Sequence, residues 1–402
     1  MKTIINQKTN QRSFTDIIAP ISFKEFSSKY WDKEVLLLQR EDPTFFSSLI
    51  SIKDLDTILQ ISRPKGGEIR VVKNQVPLDK TKYEEPDGGL NLNQIYAAYS
   101  DGHTIVINEI NKFWNHLTKL CANLTQELGH KTVANLYLTP KHQTALSPHY
   151  DTHDVFVIQV EGEKHWKLYD MEYPTPLVNS FQPIFKRENL KNERNIVMKA
   201  GDVMYIPRGV PHEASTGNCS SLHLTLGVYA TQYLDLFIKN LQFMAQNEVA
   251  LRKALPLNFN KQNEKVLKNF TVCFEKIKEE LVQDTTFTFA KALLSEDQRS
   301  RNTSPADGHF KSLDHLDEIT MDTQVQKREF TNCSVQVTPT FARILFAGNV
   351  IKGPAAIAPI FQYITDTPGL FTVSELPLGS NENKIKIVKR LIRGGLLQVI
   401  LE

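Results

Sequence analysis

Cysteine is scarce in this chain: four residues among 402, at Cys121, Cys219, Cys273 and Cys333. Spacing that wide excludes a zinc knuckle, a C-x-x-C redox pair and a disulfide scaffold, so the four are expected to be reduced thiols, mostly buried as small hydrophobes. Charge of one sign is equally scarce. With 47 Lys plus Arg against 45 Asp plus Glu, the net charge of +2 offers no composition argument for wholesale nucleic-acid binding or an acidic solvating tail. There is no run of about 18 uninterrupted apolar residues, and the opening MKTIINQKTNQRSF is polar where a secretion signal needs an apolar stretch. No membrane span is therefore expected, and the chain reads as cytoplasmic. Internal repeats and low-complexity tracts are missing too. What remains is an ordinary globular composition, 41% hydrophobic and 23% charged, long enough for roughly two to three domains. Any metal chemistry has to come from His and carboxylates.

The N-terminal part mixes short elements. Phe23 to Trp31 has amphipathic helical spacing and runs into a buried strand at Val35 to Leu38; SIKDLDTILQ begins a second helix; Lys65 to Gly67 is turn chemistry and EIRVV a strand. Between Val76 and Asn93 the chain is polar and broken by Pro86 and two glycines, which predicts a surface loop. Phe113, Leu117, Leu120, Leu124 and Leu128, at steps of three and four, predict a helix ended by Gly129. Then the period changes. VANLYLTP, VFVIQVEGEKHWKLYD, NIVMKAGDVMYIPRGVPH and SSLHLTLGVY are β-rich runs separated by turns, with no helix between them. That argues for an antiparallel barrel or sandwich from Val133 to Tyr229. Helical spacing returns after Thr231, in YLDLFIKNLQFMAQNEVALRKAL and EKVLKNFTVCFEKIKEELVQ, of the kind that pack together or against a partner chain. RNTSPADGHF is a polar break and a linker. Beyond it, FTNCSVQVTP and ARILFAG read as strands and Pro354 to Thr365 as a helix. TVSELPLGSNENKIKIVKRLIRGGLLQVILE reads as helix, turn, helix, Gly-Gly stop and closing strand, the arrangement of a winged helix.

His149 and Asp151 follow a proline and precede a strand pattern. In a strand, residues i and i+2 face the same way, so the imidazole and the carboxylate are expected to point together into the barrel. His212 sits in AGDVMYIPRGVPHEA, where a turn, a strand and a second turn present it at the next strand's start. Two His and one carboxylate on neighbouring strands make the facial triad of a non-haem Fe(II) site, with the opposite face open. An isolated H-x-D also occurs by chance as a hydrogen-bonded pair. The joint occurrence of H-x-D on one strand and G-D-V-x-x-[IV]-P-x-[GN]-x-x-H on another favours metal binding.

The neighbouring polar residues each have a plain reading. Lys164 alone would be a solvated surface lysine; Asn135 and Tyr137, which share a strand face, and Thr225 would be buried polar groups satisfied by neighbours. His153 has the parity of His149 and Asp151 and so looks toward the pocket mouth; with Asp154 it forms a candidate extra ligand set, though a substrate contact or an exposed His is the preferred reading. His165 falls on the opposite face and reads as structural, and Asp202 as hydrogen-bonded within its turn. No pattern assigns a role to Arg208.

HYDTHDVFVIQVEGEKHWKLY together with GDVMYIPRGVPHEA closely resembles the JmjC-type oxygenases of the cupin-4 branch, the ribosomal oxygenase family of 2-oxoglutarate-dependent protein hydroxylases. FxxxYWxKxxLLLxR near the start, NLYLTP and HLTLGVY extend the resemblance, which is dense over Val133 to Tyr229 and architectural after Gln232. It implies an α+β chain: a double-stranded β-helix (cupin/JmjC jelly roll) core over 1–231, a helical dimerisation segment over 232–305 and a C-terminal winged-helix domain over 306–402. It also implies Fe(II) held by His149, Asp151 and His212, with 2-oxoglutarate as cosubstrate and O2 as oxidant. Lys164 matches the family's basic residue for the far carboxylate of 2-oxoglutarate, a charge-assisted contact. Asn135 and Tyr137 match polar positions lining the cosubstrate pocket, and Thr225 is similarly placed.

The implied substrate is a polypeptide, a ribosomal protein hydroxylated at a β-carbon of His or Arg, and the implied assembly a homodimer through the helices between Tyr233 and Gln283. Hydroxylation of another peptide, lysine demethylation, and a non-catalytic cupin/winged-helix regulator bound to nucleic acid stand as alternatives. Lys384, Lys386, Lys389, Arg390 and Arg393 crowd the terminal helix, yet residues 301–402 carry 11 basic and 10 acidic side chains, net +1. That is far short of a nucleic-acid footprint, so a solvated face or protein-docking surface is expected there.

Overall fold

A computed structural model describes residues 12–401 apart from 63, 65, 66, 145, 179, 182, 183, 301–304, 330 and 332. Residues 65 and 66 of the expected turn and 301–304 of the expected linker thus lie outside the described residues. The chain forms two units, one ending at Ala230 and one beginning at Thr231.

The described residues of the first unit form ten antiparallel strands: β1 (Leu36–Leu38), β2 (Ile69–Lys73), β3 (Val76–Pro77), β4 (Thr104–Ile107), β5 (Lys131–Thr139), β6 (Asp154–Leu168), β7 (Arg194–Lys199), β8 (Val203–Ile206), β9 (His212–Ser215) and β10 (Ser221–Tyr229). The strand at β4 was not anticipated. Its sequence TIVI is buried at every position, so it shows none of the in-out alternation by which a half-buried strand is recognised. β6 organises the unit. Its first half pairs with β8 and β10, its second half with β7 and β9, the jelly-roll manner of turning one strand through two sheets.

The hinge between those halves is Gly162, at φ +69, where a Cβ would stand 1.9 Å from the Ser220 carbonyl oxygen. The pairing with β10 slips two residues before it, at Val160: Leu222 opposes Glu161, whereas His223 opposes Gln159. A bulge of this kind adds a residue to one strand and so reverses which side chains face inward. Before it, Val155 and Val157 face the barrel interior while Phe156 and Ile158 join the outer core; after it, Lys164 and Trp166 face inward.

The outer core packs β5, β6 and β10 against the N-terminal helices and the helix Asn115–Leu128. Leu117, Leu120, Cys121 and Leu124 on that helix are buried against Ala134, Leu136, Leu224 and Leu226. Each buried leucine contributes about 2 kcal/mol. Gly129, at φ +69, closes the helix as expected. Phe113 falls just outside it, at the end of a 3-10 turn.

In the second unit, helices span Tyr233–Asn247, Asn263–Ile277 and Asp284–Ser300. The third lies within the helical segment that the resemblance implied over 232–305, though periodicity did not mark it, because its opening DTTFTF is rich in β-branched and aromatic residues. Tertiary packing overrides that propensity: Phe289 stacks on Phe243 of the first helix at 4.7 Å. Two three-stranded sheets follow. Cys333–Val337, Phe341–Phe346 and Asn349–Pro354 form a meander, and Gln324–Lys327 lies between Phe371–Thr372 and Leu397–Val399. The terminal helix Asn381–Arg393 begins on the Ser380 cap and buries Val388, Leu391 and Ile392. Where a helix was expected in TVSELP, there is a single 3-10 turn, Val373–Glu375, since Pro377 and Gly379 leave no room for more.

The expectation of mostly buried cysteines fails. Cys121 is buried, Cys273 and Cys333 are half-buried and Cys219 is exposed. Among the described residues, no helix is long and apolar enough to cross a membrane.

Candidate metal centre

His149 and Asp151 stand outside regular strand, for β6 begins only at Asp154. What orients His149 is therefore a bridge rather than the expected strand parity. It faces His212 directly in an antiparallel pair: the His149 N–H donates to the His212 carbonyl at 3.1 Å, and the His149 carbonyl accepts the His212 N–H at 2.8 Å. Residues opposed in this way project side by side, and the two imidazole centroids are 4.7 Å apart. Asp151 Oδ2 lies 3.6 Å from His212 Nε2. One ligand atom from each of His149, Asp151 and His212 falls within 4.8 Å of the others.

Both imidazoles have a committed nitrogen. His149 Nδ1 is 2.7 Å from the Ser147 carbonyl and His212 Nδ1 is 3.0 Å from that of Val210. A carbonyl only accepts, so each Nδ1 carries the hydrogen and each Nε2 presents a lone pair, the tautomer a metal requires. Burial, reinforced by His149, pushes the His212 pKa down to about 4 and keeps the ring neutral.

The three residues sit on the wall of a cavity of about 200 Å³ that runs into the barrel. Asn135, Tyr137, Thr225 and Lys164 line it as well, so all seven residues singled out from the sequence converge on one space. Lys164 is 2% exposed, so it is no surface lysine, and it donates to the Thr139 hydroxyl at 2.7 Å. Desolvation lowers its pKa to about 7. Tyr137 lies flat on His223, ring centroids 4.8 Å apart, and burial raises its phenol to about 12. Asn135 accepts the Glu109 N–H at 2.9 Å through its side-chain oxygen.

The remaining candidates separate. His153 reaches the cavity wall, stacked on Tyr229 at 4.6 Å, but stands outside the ligand cluster. Asp154 turns away from it to Arg208 and Tyr205. His165 pairs with Glu163 at 3.2 Å, and Asp202 accepts the Lys199 N–H within its turn and the N–H of the distant Arg40. Sequence reasoning passed over Thr139, Trp166, His223, Arg70 and Asn108, which also line the cavity. For Thr139 and His223 a signal existed: each is two positions from a residue already named on the same strand face.

A β6-centred jelly roll carrying an H-x-D turn opposite a strand-opening histidine defines a JmjC-type oxygenase domain, and residues 107–236 match the JmjC domain model. The chain therefore carries a JmjC domain, a class of domain that uses Fe(II), 2-oxoglutarate and O2, and it is similar to ribosomal oxygenases. It is 32% identical over 265 residues to the bifunctional lysine-specific demethylase and histidyl-hydroxylase NO66 of Aedes aegypti, covering 62% of this chain and 40% of that protein. It is 30% identical over 265 residues to ribosomal oxygenase 2 of Rattus norvegicus, covering 63% and 56%. The chain thus spans about half the length of these curated relatives or less. Among solved structures, the Escherichia coli ribosomal oxygenase YcfD, in complex with cobalt and 2-oxoglutarate, aligns over 94% of this chain and 98% of its own with a TM-score of 0.53. At 16% identity that likeness speaks for the fold.

Proposed function

We propose that this chain is an Fe(II)- and 2-oxoglutarate-dependent oxygenase that hydroxylates a side chain of a polypeptide, a ribosomal protein at a β-carbon of His or Arg. The observation that carries the reading is Lys164: a buried ammonium without a paired carboxylate among the described residues, facing the cavity that holds the three-ligand cluster. A buried cation is costly unless an anion meets it. The cavity therefore suits a ligand that chelates a metal through one group and offers a carboxylate to Lys164 through another.

The residues present fit the group. Two neutral imidazoles and one carboxylate are the donor set of a facial-triad Fe(II) site, with His149, Asp151 and His212 as its ligands. When bound, the iron and 2-oxoglutarate supply activation of O2 and oxidation of a C–H bond. The rest falls to the chain. Ser147 and Val210 hold the imidazole tautomers through their carbonyls. Lys164 takes the far carboxylate, and Asn135, Tyr137 and Thr225 supply polar walls that orient the cosubstrate. Trp166, Val155 and Val157 keep that wall dry, which strengthens each charged contact.

A homodimer accompanies the proposal. Leu234, Phe237, Ile238, Phe270 and Phe274 stand 42% to 66% exposed on the helices after Thr231, more apolar surface than a lone chain leaves in water. Work in the cytoplasm on ribosomal protein agrees with the lack of a membrane-crossing helix among the described residues. Removal of an N-methyl group by hydroxylation is the second reading, favoured by the double activity in the NO66 name.

The test is turnover with Fe(II), 2-oxoglutarate and ribosomal proteins from a strain lacking the gene. One added oxygen on a single ribosomal protein, with succinate formed in step, is expected, and His212→Ala should lose both while remaining folded. Retained succinate formation in that variant would sink the metal assignment.

A further inference from the structure

Asp154 is a carboxylate with no exposure that the proposed chemistry leaves unused. It opens β6, three residues beyond Asp151. Its Oδ2 receives Arg208 Nη1 at 2.7 Å, and its Oδ1 receives the Tyr205 hydroxyl at 2.8 Å and the Arg208 backbone N–H at 3.3 Å. Arg208, 5% exposed, reaches on to Asp32: Nη1 is 2.6 Å from Oδ1 and Nη2 is 3.2 Å from Oδ2. Asp32 then closes the ring, its backbone N–H donating to the Tyr205 hydroxyl oxygen at 3.1 Å. Four residues from three distant stretches of sequence are tied into one closed circuit.

Both metal-ligand stretches hang from this circuit. Gly209, next to Arg208, donates its N–H to the Asp151 carbonyl at 3.0 Å. Val210, one residue further, holds His212 Nδ1. The turn has little freedom to relax, since Gly209 sits at φ +89 with the Tyr173 carbonyl 2.0 Å from where a Cβ would be. One guanidinium thus clamps the turn that carries His212 to the strand start that follows Asp151, and ties both to the N-terminal segment.

The arrangement is expensive as a purely structural device. Two carboxylates and one guanidinium are drawn together, and burial raises the Asp154 carboxyl above its ordinary range in spite of Arg208. Apolar side chains of the same volume hold a fold as well or better. A planar fork able to serve two carboxylates at once, by contrast, fixes distance and angle in a way apolar packing does not.

We propose that Arg208, through Asp154 and Asp32, is a positioning residue that sets the spacing of Asp151 and His212 and so determines how tightly the metal is held. The N-terminal segment at Asp32 is part of that support. The proposal rests on the metal-centre reading above. Supports of this kind are worth about 10- to 100-fold in metal affinity.

The test is anaerobic titration with Co(II), whose visible ligand-field bands report coordination, on the full chain and on Arg208→Gln, Arg208→Lys and Asp32→Asn. Melting of each metal-free form is measured alongside. Arg208→Gln should bind Co(II) about 10- to 100-fold more weakly, with altered bands, at temperatures well below its melting point. Arg208→Lys, which keeps the charge and loses the fork, should fall between it and the parent, and Asp32→Asn should weaken binding by a smaller factor. Parental affinity and bands in Arg208→Gln, with only a lower melting temperature, would overturn the proposal by making the circuit structural alone. Should Arg208→Gln fail to fold, Arg208→Lys carries the test with the same two outcomes. Absence of Co(II) binding in the parent would instead remove the metal-centre reading, and this proposal with it.

Discussion

Lys164 donates to the Thr139 hydroxyl across the inner face of the barrel at 2.7 Å, and among the described residues no carboxylate pairs with it. A lysine 2% exposed is held there at a cost to stability, since neither the hydroxyl nor the cavity neutralises its charge. The relationship marks where an anionic ligand is wanted, and it makes predictions that separate stability from binding.

Lys164→Met should abolish 2-oxoglutarate binding, weakening it at least about 100-fold, because a charge-assisted contact in a dry site contributes about 3 kcal/mol. The same change should stabilise the cosubstrate-free protein by about 1 kcal/mol, since a buried charge is replaced by an apolar side chain of similar length. Isothermal titration and urea unfolding read the two quantities. A variant that loses stability as well as binding would contradict this account.

The Lys164 pKa of about 7, lowered from 10.5, gives opposite pH signs to the two properties. Below pH 7 the side chain is charged in both folded and unfolded states, and its burial cost is fully present. Between pH 7 and 10.5 the unfolded chain binds the extra proton, so the stability of the cosubstrate-free form should rise with pH. Affinity for 2-oxoglutarate should instead be flat below pH 7 and fall by up to about tenfold per unit above it, with uptake of one proton on binding. Titration calorimetry in buffers of different ionisation enthalpy checks the proton count.

Gly162→Ala should be severely destabilising. Its positive φ costs a non-glycine residue about 1–3 kcal/mol, and the new Cβ would meet the Ser220 carbonyl oxygen at 1.9 Å. Unfolding in urea measures the loss. Because the hinge turns Lys164 inward, any folded fraction should also bind 2-oxoglutarate more weakly, whereas Gly129→Ala, at a helix end with open space around it, should lose stability without losing affinity.

Phe237→Glu combined with Phe270→Glu should convert a dimer to a monomer, because both rings are at least half exposed on the helices after Thr231. Light scattering on eluting protein at micromolar concentration reads the mass directly. A monomeric parent chain would remove the homodimer from the proposal.

The β-rich stretch from Val133 to Tyr229 and the metal-ligating residue types were legible because strands alternate with period two and glycine and proline mark their ends. Other features were not marked by local periodicity, for physical reasons. β4 lacks alternation because both its faces are covered. The helix Asp284–Ser300 opens with residues that favour strands and is held helical by contacts such as Phe289 on Phe243. Arg208 gave no pattern because its partners, Asp32 and Asp154, lie 176 and 54 positions away.

By itself the sequence determined which chemistry is available: two histidines and an aspartate at metal-ligand spacing, one lysine close behind them, few thiols and no dominant charge. Tertiary structure decided which way those groups face. Lys164 points at the cavity only because a bulge at Val160 reverses the strand's parity, and His149 meets His212 only because a single antiparallel bridge opposes them. Both depend on hydrogen bonds between stretches far apart in the chain, which local periodicity does not encode.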